Sequence, residues 1–256
     1  MKNLVFRIGN TLQVIRKGTT SNGKLIKQND LLKNEKIVQT YTFSRTQFEQ
    51  VILGECKGME HFFNSADTNC LDCPFNSYGK CYTHERNQFM GFIAMLKSIS
   101  KEYKNFDSLP QWDEETMLPI ALKMADKTFC RFGTYGEPSL HDFKMIDKMC
   151  NVAKSWTGYT HQWHRNKLEK YFMASVHSKF ETLAAEDMGY RSFAAIPKGE
   201  TIAGLVLCPA SAEGGFKSTC SECGLCSGTS GTKAKKSVYI NDHGPKARKE
   251  AKANAI

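Results

Sequence analysis

A chain of 256 residues with 41% hydrophobic and 11% aromatic content can bury a real core, which excludes a disordered protein. It has no apolar run of the roughly 18 residues that a membrane span needs, and Met1 to Arg7 lack the apolar stretch of a secretory leader. An intracellular chain without a membrane span is therefore expected, and its ten cysteines should ligate metal rather than form disulfides. The formal charge of +9 is concentrated at the ends, with nine Lys/Arg against three Asp/Glu in residues 1–50 and seven against two in residues 231–256. Such basic ends suit the phosphates of a nucleic acid, or another protein; a merely solvated surface is the competing reading.

In chain order, Leu4, Phe6 and Ile8, then Leu12 and Val14, alternate with polar residues around Gly9-Asn10, which predicts a β-hairpin. A helix is expected to start at Ser44 and carry Phe48, Val51 and Ile52. Residues 1–55 read as an accessory segment ahead of a cysteine-rich domain over 56–228, with a basic linker and tail over 229–256.

The first cysteine region holds Cys56, then Cys70-Leu71-Asp72-Cys73-Pro74, then Cys81-Tyr82-Thr83-His84. The thiols of Cys70, Cys73 and Cys81 can hold three corners of an iron–sulfur cluster, with Cys56 or a non-protein ligand at the fourth. A zinc knuckle completed by His84 or Cys56 is the alternative.

Helical spacing recurs over 86–103, and again over 113–126, where Asp113 caps and Pro119 is expected to kink or delay the helix. From residue 128 the pattern alternates. Strand-like runs at 128–133, 155–161, 171–177, 190–196 and 203–207 are separated by helices expected over 139–154, 164–171 and 178–188. This predicts an α/β protein with a parallel sheet, either open or a partial (β/α) barrel, carrying cysteine-rich metal-binding loops and an N-terminal hairpin/helix cap. Functional side chains in such folds gather at the carboxyl ends of strands, which selects Arg131, Tyr159, His161 and His177 as pocket candidates. His164 is a further proton carrier or metal ligand by type, although any single histidine is more often an ordinary one. Cys130 and Cys150, among apolar neighbours, read as small buried side chains.

The densest motif comes last. Cys208-Pro209 is followed by Cys220-Ser221-Glu222-Cys223-Gly224-Leu225-Cys226, three thiols at two-residue separations with a Cys-Pro some way off. Ferredoxins bind a [4Fe–4S] cluster with a similar run, whereas structural zinc more often uses paired C-x2-4-C units. Iron–sulfur is the favoured reading, at Cys208, Cys220, Cys223 and Cys226, with a second cluster at the first region. Ser237 to Ile240 are expected to add an edge strand.

Several fragments together resemble a family of phage-encoded cysteine-rich proteins named after a phage gene product, gene eighty-eight. They are Cys70-x2-Cys73 with Cys81-Tyr82, Arg131-Phe132-Gly133-x2-Gly136-Glu137-Pro138, Tyr159-Thr160-His161-Gln162-Trp163, Met173-Ala174-Ser175, Gly189-Tyr190-Arg191, and Cys208-Pro209-Ala210 with the final cysteine triplet. The resemblance spans about residues 56–228. It implies a phage-encoded protein in the host cytoplasm and a distant likeness to radical S-adenosylmethionine proteins; host-protein or nucleic-acid partners for the basic ends rest on charge alone. S-adenosylmethionine is then a possible ligand, but the C-x2-C-x7-C spacing here departs from the C-x3-C-x2-C of those enzymes. The expected function is an iron–sulfur protein with a redox or radical role; a metal-stabilised binding module without catalysis is the alternative. The sequence assigns no reaction.

Overall fold

The computed structural model describes residues 3–19, 36–76, 78–215, 217–231 and 236–242. The tail from 243, the linker residues 232–235 and much of the basic N-terminal stretch lie outside them, so the expected charged contacts to nucleic acid fall largely on residues not described.

The chain is mixed α/β, with two five-stranded sheets and no closed barrel among the described residues. The first sheet runs β1 (Asn3–Ile8), β2 (Thr11–Thr19), β3 (Lys36–Ser44), β4 (Phe129–Tyr135), β5 (Ser155–Thr157) in that spatial order. The hairpin β1–β2 turns at Gly9-Asn10, where Gly9 takes the positive φ (54°) that a tight turn requires. β2–β3 is also antiparallel, and β3–β4–β5 are parallel.

Alternation along β1–β3 sends apolar side chains to both faces. Leu4, Phe6, Ile15 and Val38 join Cys130 and Phe132 on one side. There they meet α5 (Glu114–Ala125) and α6 (Phe143–Val152), and Cys130 and Cys150 are both buried in this layer. Leu12, Val14, Tyr41 and Phe43 face the other side. They meet α1 (Arg45–Ile52), α2 (Met59–Asn64) and α4 (Arg86–Ile99), while the single turn α3 (Asp67–Cys70) lies between α2 and α4 in the chain. Ser44 closes a capping box with Gln47 at the start of α1, as its sequence predicts. Asp113 caps α5, but Pro119 does not interrupt it. Pro119 and Glu115 are exposed, so the Glu115 carbonyl that loses its helical donor faces water.

The second sheet is all parallel, in the order β6 (Tyr159–Thr160), β7 (Met173–Val176), β8 (Ser192–Ile196), β10 (Val238–Asn241), β9 (Val206–Leu207). Three expectations are corrected here. One strand was expected over 155–161, but Gly158 divides it into β5 and β6, which join different sheets. A Cβ at Gly158 would stand 2.4 Å from the Phe172 ring, so only glycine permits the crossing. The 237–240 strand is not an edge but lies between β8 and β9. The helix expected over 164–171 is instead two tight turns, because tertiary partners take its amides: Leu168 N–H donates to the Tyr190 hydroxyl at 2.7 Å, while Arg165 and Asn166 turn back on the Gln162 carbonyl. One face of this sheet packs on α7 (Lys179–Asp187), capped by Ser178. On the other face Met173, Phe193, Val206 and Val238 pack against Cys208, Leu225 and Cys226.

Candidate metal centres and the cleft between them

All ten cysteines are free thiols. Seven of them fall into two groups, and the thiols that act on one another electrostatically do so within a group. In the first, α3 ends at Cys70, Leu71 takes a positive φ of 51°, and the chain reverses so that the Cys73 N–H donates to the Cys70 carbonyl at 3.1 Å. Cys81 follows the next turn, where its sulfur lies 3.1 Å from the Thr83 hydroxyl. Burial pushes all three thiols up, Cys73 to about 12; neighbouring thiols add to the rise at Cys70 and Cys73, while at Cys81 the Thr83 hydroxyl opposes it.

Two histidines complete this first group. The Cys73 sulfur is 3.7 Å from His161 Nε2, which is 3.3 Å from His177 Nε2. Burial first, then His177, holds His161 down to about 3, and burial also lowers His177. The His161 ring is therefore neutral at physiological pH. His177 Nδ1 is 3.4 Å from the Ala195 carbonyl, which makes it the donor there and leaves its Nε2 to accept from His161 Nε2–H. Behind them stands buried Glu137. Its carboxylate accepts from the Thr160 hydroxyl at 2.6 Å, the Ser139 N–H at 3.1 Å and the His161 N–H at 3.0 Å. Its own N–H donates to the Asn69 carbonyl, beside Cys70, at 2.7 Å. Asp72 binds Gln162, and Arg165 at 2.8 Å, tying this loop to the turn after β6. His164, 3.6 Å from Asp72, belongs to that tie rather than to the thiols.

Cys56 and His84 are placed elsewhere. The Cys56 thiol faces the Gly58 carbonyl at 3.7 Å in a groove with Phe89 and Ile93. His84 stacks on Phe63 with centroids 4.1 Å apart, and its Nδ1 accepts from the Gly79 N–H.

The second group is Cys208, Cys220, Cys223 and Cys226. Thr219 caps the single turn α8 (Cys220–Cys223), and Gly224 ends it in the left-handed region at φ 63°. Cys208 leaves the end of β9 and is pushed up by burial to about 11, with the Cys220 and Cys223 thiols adding to the rise. Burial also raises Cys220 and Cys226; the Arg131 charge opposes it at Cys220, and the Tyr159 hydroxyl, donating to sulfur, opposes it at Cys226. The loop is fastened by Arg191, whose guanidinium donates to the Leu225 carbonyl at 2.7 Å, the Gly228 carbonyl at 2.8 Å and the Lys236 carbonyl. Gly158 N–H binds the Cys226 carbonyl at 3.3 Å, so the residue that divides the sheets also anchors the motif.

The two groups meet through Tyr82 and Arg131. Arg131, within β4 rather than at its end, interacts with Tyr82, Cys220, Tyr159 and Tyr41, which together outweigh the cost of its burial and raise its pKa. Tyr82, next to Cys81, is hydrogen-bonded to Arg131 and also feels Cys220. Tyr82 is 45% exposed and Cys220 is exposed, yet burial raises the pKa of both. The four pocket candidates are thus shared out, His161 and His177 at the first group, Arg131 and Tyr159 at the second. Tyr82 and Arg191 carry roles that sequence reasoning missed, although both stand inside the fragments Cys81-Tyr82 and Gly189-Tyr190-Arg191.

Among the described residues no three His, Cys, Asp or Glu side chains are arranged to hold a metal ion, and no helix is long and apolar enough to cross a membrane. No protein-family model, curated protein or solved structure matches the chain.

Proposed function

We propose that the protein is an iron–sulfur protein with a redox role, holding one cluster on Cys208, Cys220, Cys223 and Cys226 and a second on Cys70, Cys73 and Cys81. The observation that carries this reading is the gathering of seven free thiols into two groups, with Tyr82 interacting with Cys81 of one and Cys220 of the other. Thiols whose ionisation burial opposes serve no purpose as thiolates unless a cation neutralises them. The donor set is all sulfur, which suits iron–sulfur clusters and zinc alike. The C-x2-C-x2-C run of Cys220, Cys223 and Cys226, with a Cys-Pro at Cys208, favours the cluster over zinc.

A bound cluster would supply a one-electron couple tuned by charge and by hydrogen bonds to sulfur. The protein's own contribution is then legible. Tyr159 and Thr83 place hydroxyls on ligand sulfurs, Arg191 holds the second loop closed, and the His161–His177 pair stands against Cys73. With three cysteines, the first group leaves a fourth corner to His161 or a small molecule, for which S-adenosylmethionine is the candidate the sequence resemblance suggests.

The test is iron and acid-labile sulfide counted in two variants. Cys223→Ser should lose about half of the iron and Cys73→Ser the other half, because each removes one ligand set. Zinc without sulfide in either variant, or full iron in both, contradicts the assignment.

A further inference from the structure

Away from the cysteines, a cavity of about 170 Å³ opens between the first turn of α6 and the turns after β6. His141, Phe143, Ile146, Asn166, Lys167 and Leu168 line it. An apolar cavity of roughly 150 Å³ holds benzene, so this one admits a ligand of about six heavy atoms. Phe143 and Lys167 are exposed, whereas His141, Ile146 and Leu168 are buried. The lining therefore passes from a wet rim with a cation to a dry wall with an imidazole.

The imidazole brings a donor that nothing in the described protein uses. Its Nε2 accepts from the Thr40 hydroxyl at 2.8 Å, because that oxygen already takes the Gly133 N–H at 2.9 Å and keeps its own proton to give. A neutral ring whose Nε2 accepts carries its proton on Nδ1. His141 Nδ1 is buried and has no hydrogen-bond partner among the described residues. Buried donors are nearly always paired, and one left alone keeps the cost of losing its water. An acceptor seated in the cavity would remove that cost.

Charge at the rim narrows the class of acceptor. Lys144 and Lys170 are matched by Glu114 and Asp147, whereas Lys167 has no salt-bridge partner among the described residues. The nearby Asp142 carboxylate caps α6 and is taken by the Met145 N–H at 2.8 Å. A buried donor, an unmatched cation and an apolar wall are satisfied together by an acceptor-only anion on a short hydrocarbon. We propose that this cavity binds a small monocarboxylate. The carboxylate accepts from His141 Nδ1–H and from Lys167 Nζ, and the alkyl part lies against Phe143, Ile146 and Leu168. The site contains none of the cysteines and does not depend on the cluster reading.

The experiment is calorimetric titration of the full chain with butyrate, which matches the cavity in size, and with butylamine and inorganic phosphate as comparisons. Saturable butyrate binding is expected at about 1 mM, within the range open to so small a ligand. Lys167→Ala, a change at the surface, should weaken it about threefold. His141→Phe should weaken it about tenfold or more, since a hydrogen bond to a charged group is lost. Should His141→Phe fail to fold, the ring nitrogen resonances of His141 in the parent still decide, because butyrate should shift them. No saturable binding to the parent, an unmoved His141 ring, phosphate or butylamine bound as tightly as butyrate, or an unchanged affinity in Lys167→Ala overturns the inference.

Discussion

The imidazole of His141 is buried, 5% exposed, and its Nε2 lies 2.8 Å from the Thr40 hydroxyl, which itself accepts from the Gly133 N–H. That leaves the hydroxyl proton for His141 Nε2. Burial holds the pKa of this ring down to about 4, against about 6.5 in an unfolded chain. A folded pKa below the unfolded one means that the stabilisation is complete above about pH 6.5 and is lost as pH falls towards 4. Acidification across that window should cost up to about 3 kcal/mol through this group. Urea unfolding of the parent and of His141→Asn at pH 7.5 and 4.5 checks it. The variant should be weaker at the higher pH and should lose less on acidification; equal losses would show that His141 does not carry the effect. Gly158 gives a second prediction at this scale. Its missing Cβ makes room for Phe172 and for Phe132, the latter 3.3 Å from where that atom would stand. Gly158→Ala should lower the unfolding free energy by about 1–3 kcal/mol through overpacking, measured by denaturant titration.

Local chemistry made several elements legible in advance. The Gly9-Asn10 turn, the helix starts at Ser44 and Asp113, and the strand near Phe129 all rest on interactions within a few residues, and the structure places them where the sequence does. Apart from Pro119, which does not interrupt its helix, the misreadings are long-range. Nothing near residue 238 tells that β10 enters between β8 and β9, and nothing within 164–171 tells that Tyr190 will claim the Leu168 amide. The cysteine groups were legible as spacing. The side chains that serve them were less so, because Arg191 reaches its partners across 34 and 37 residues of sequence. Arg191→Lys should expose that dependence. A lysine cannot span three carbonyls as a planar guanidinium does, so the loop after Cys223 should exchange its amides faster and iron should leave faster to a chelator. Unchanged exchange in that loop would mean that Arg191 is not its fastening.

At the scale of the molecule, one glycine hands the chain from a helix-covered mixed sheet to an all-parallel sheet. The second sheet has α7 on one face and the cysteine loop on the other. This arrangement brings two thiol groups from distant parts of the chain within reach of Tyr82, which interacts with Cys81 of the first and Cys220 of the second. That shared neighbour, linking the two sites, is what the proposed redox role rests on. The most direct measurement is the iron, zinc and acid-labile sulfide content of anaerobically purified protein, with its visible spectrum. The account predicts about eight irons per chain, sulfide in equal amount, and a broad thiolate-to-iron band that bleaches with dithionite. Zinc with no sulfide and no visible band would contradict it and make the cysteines structural staples.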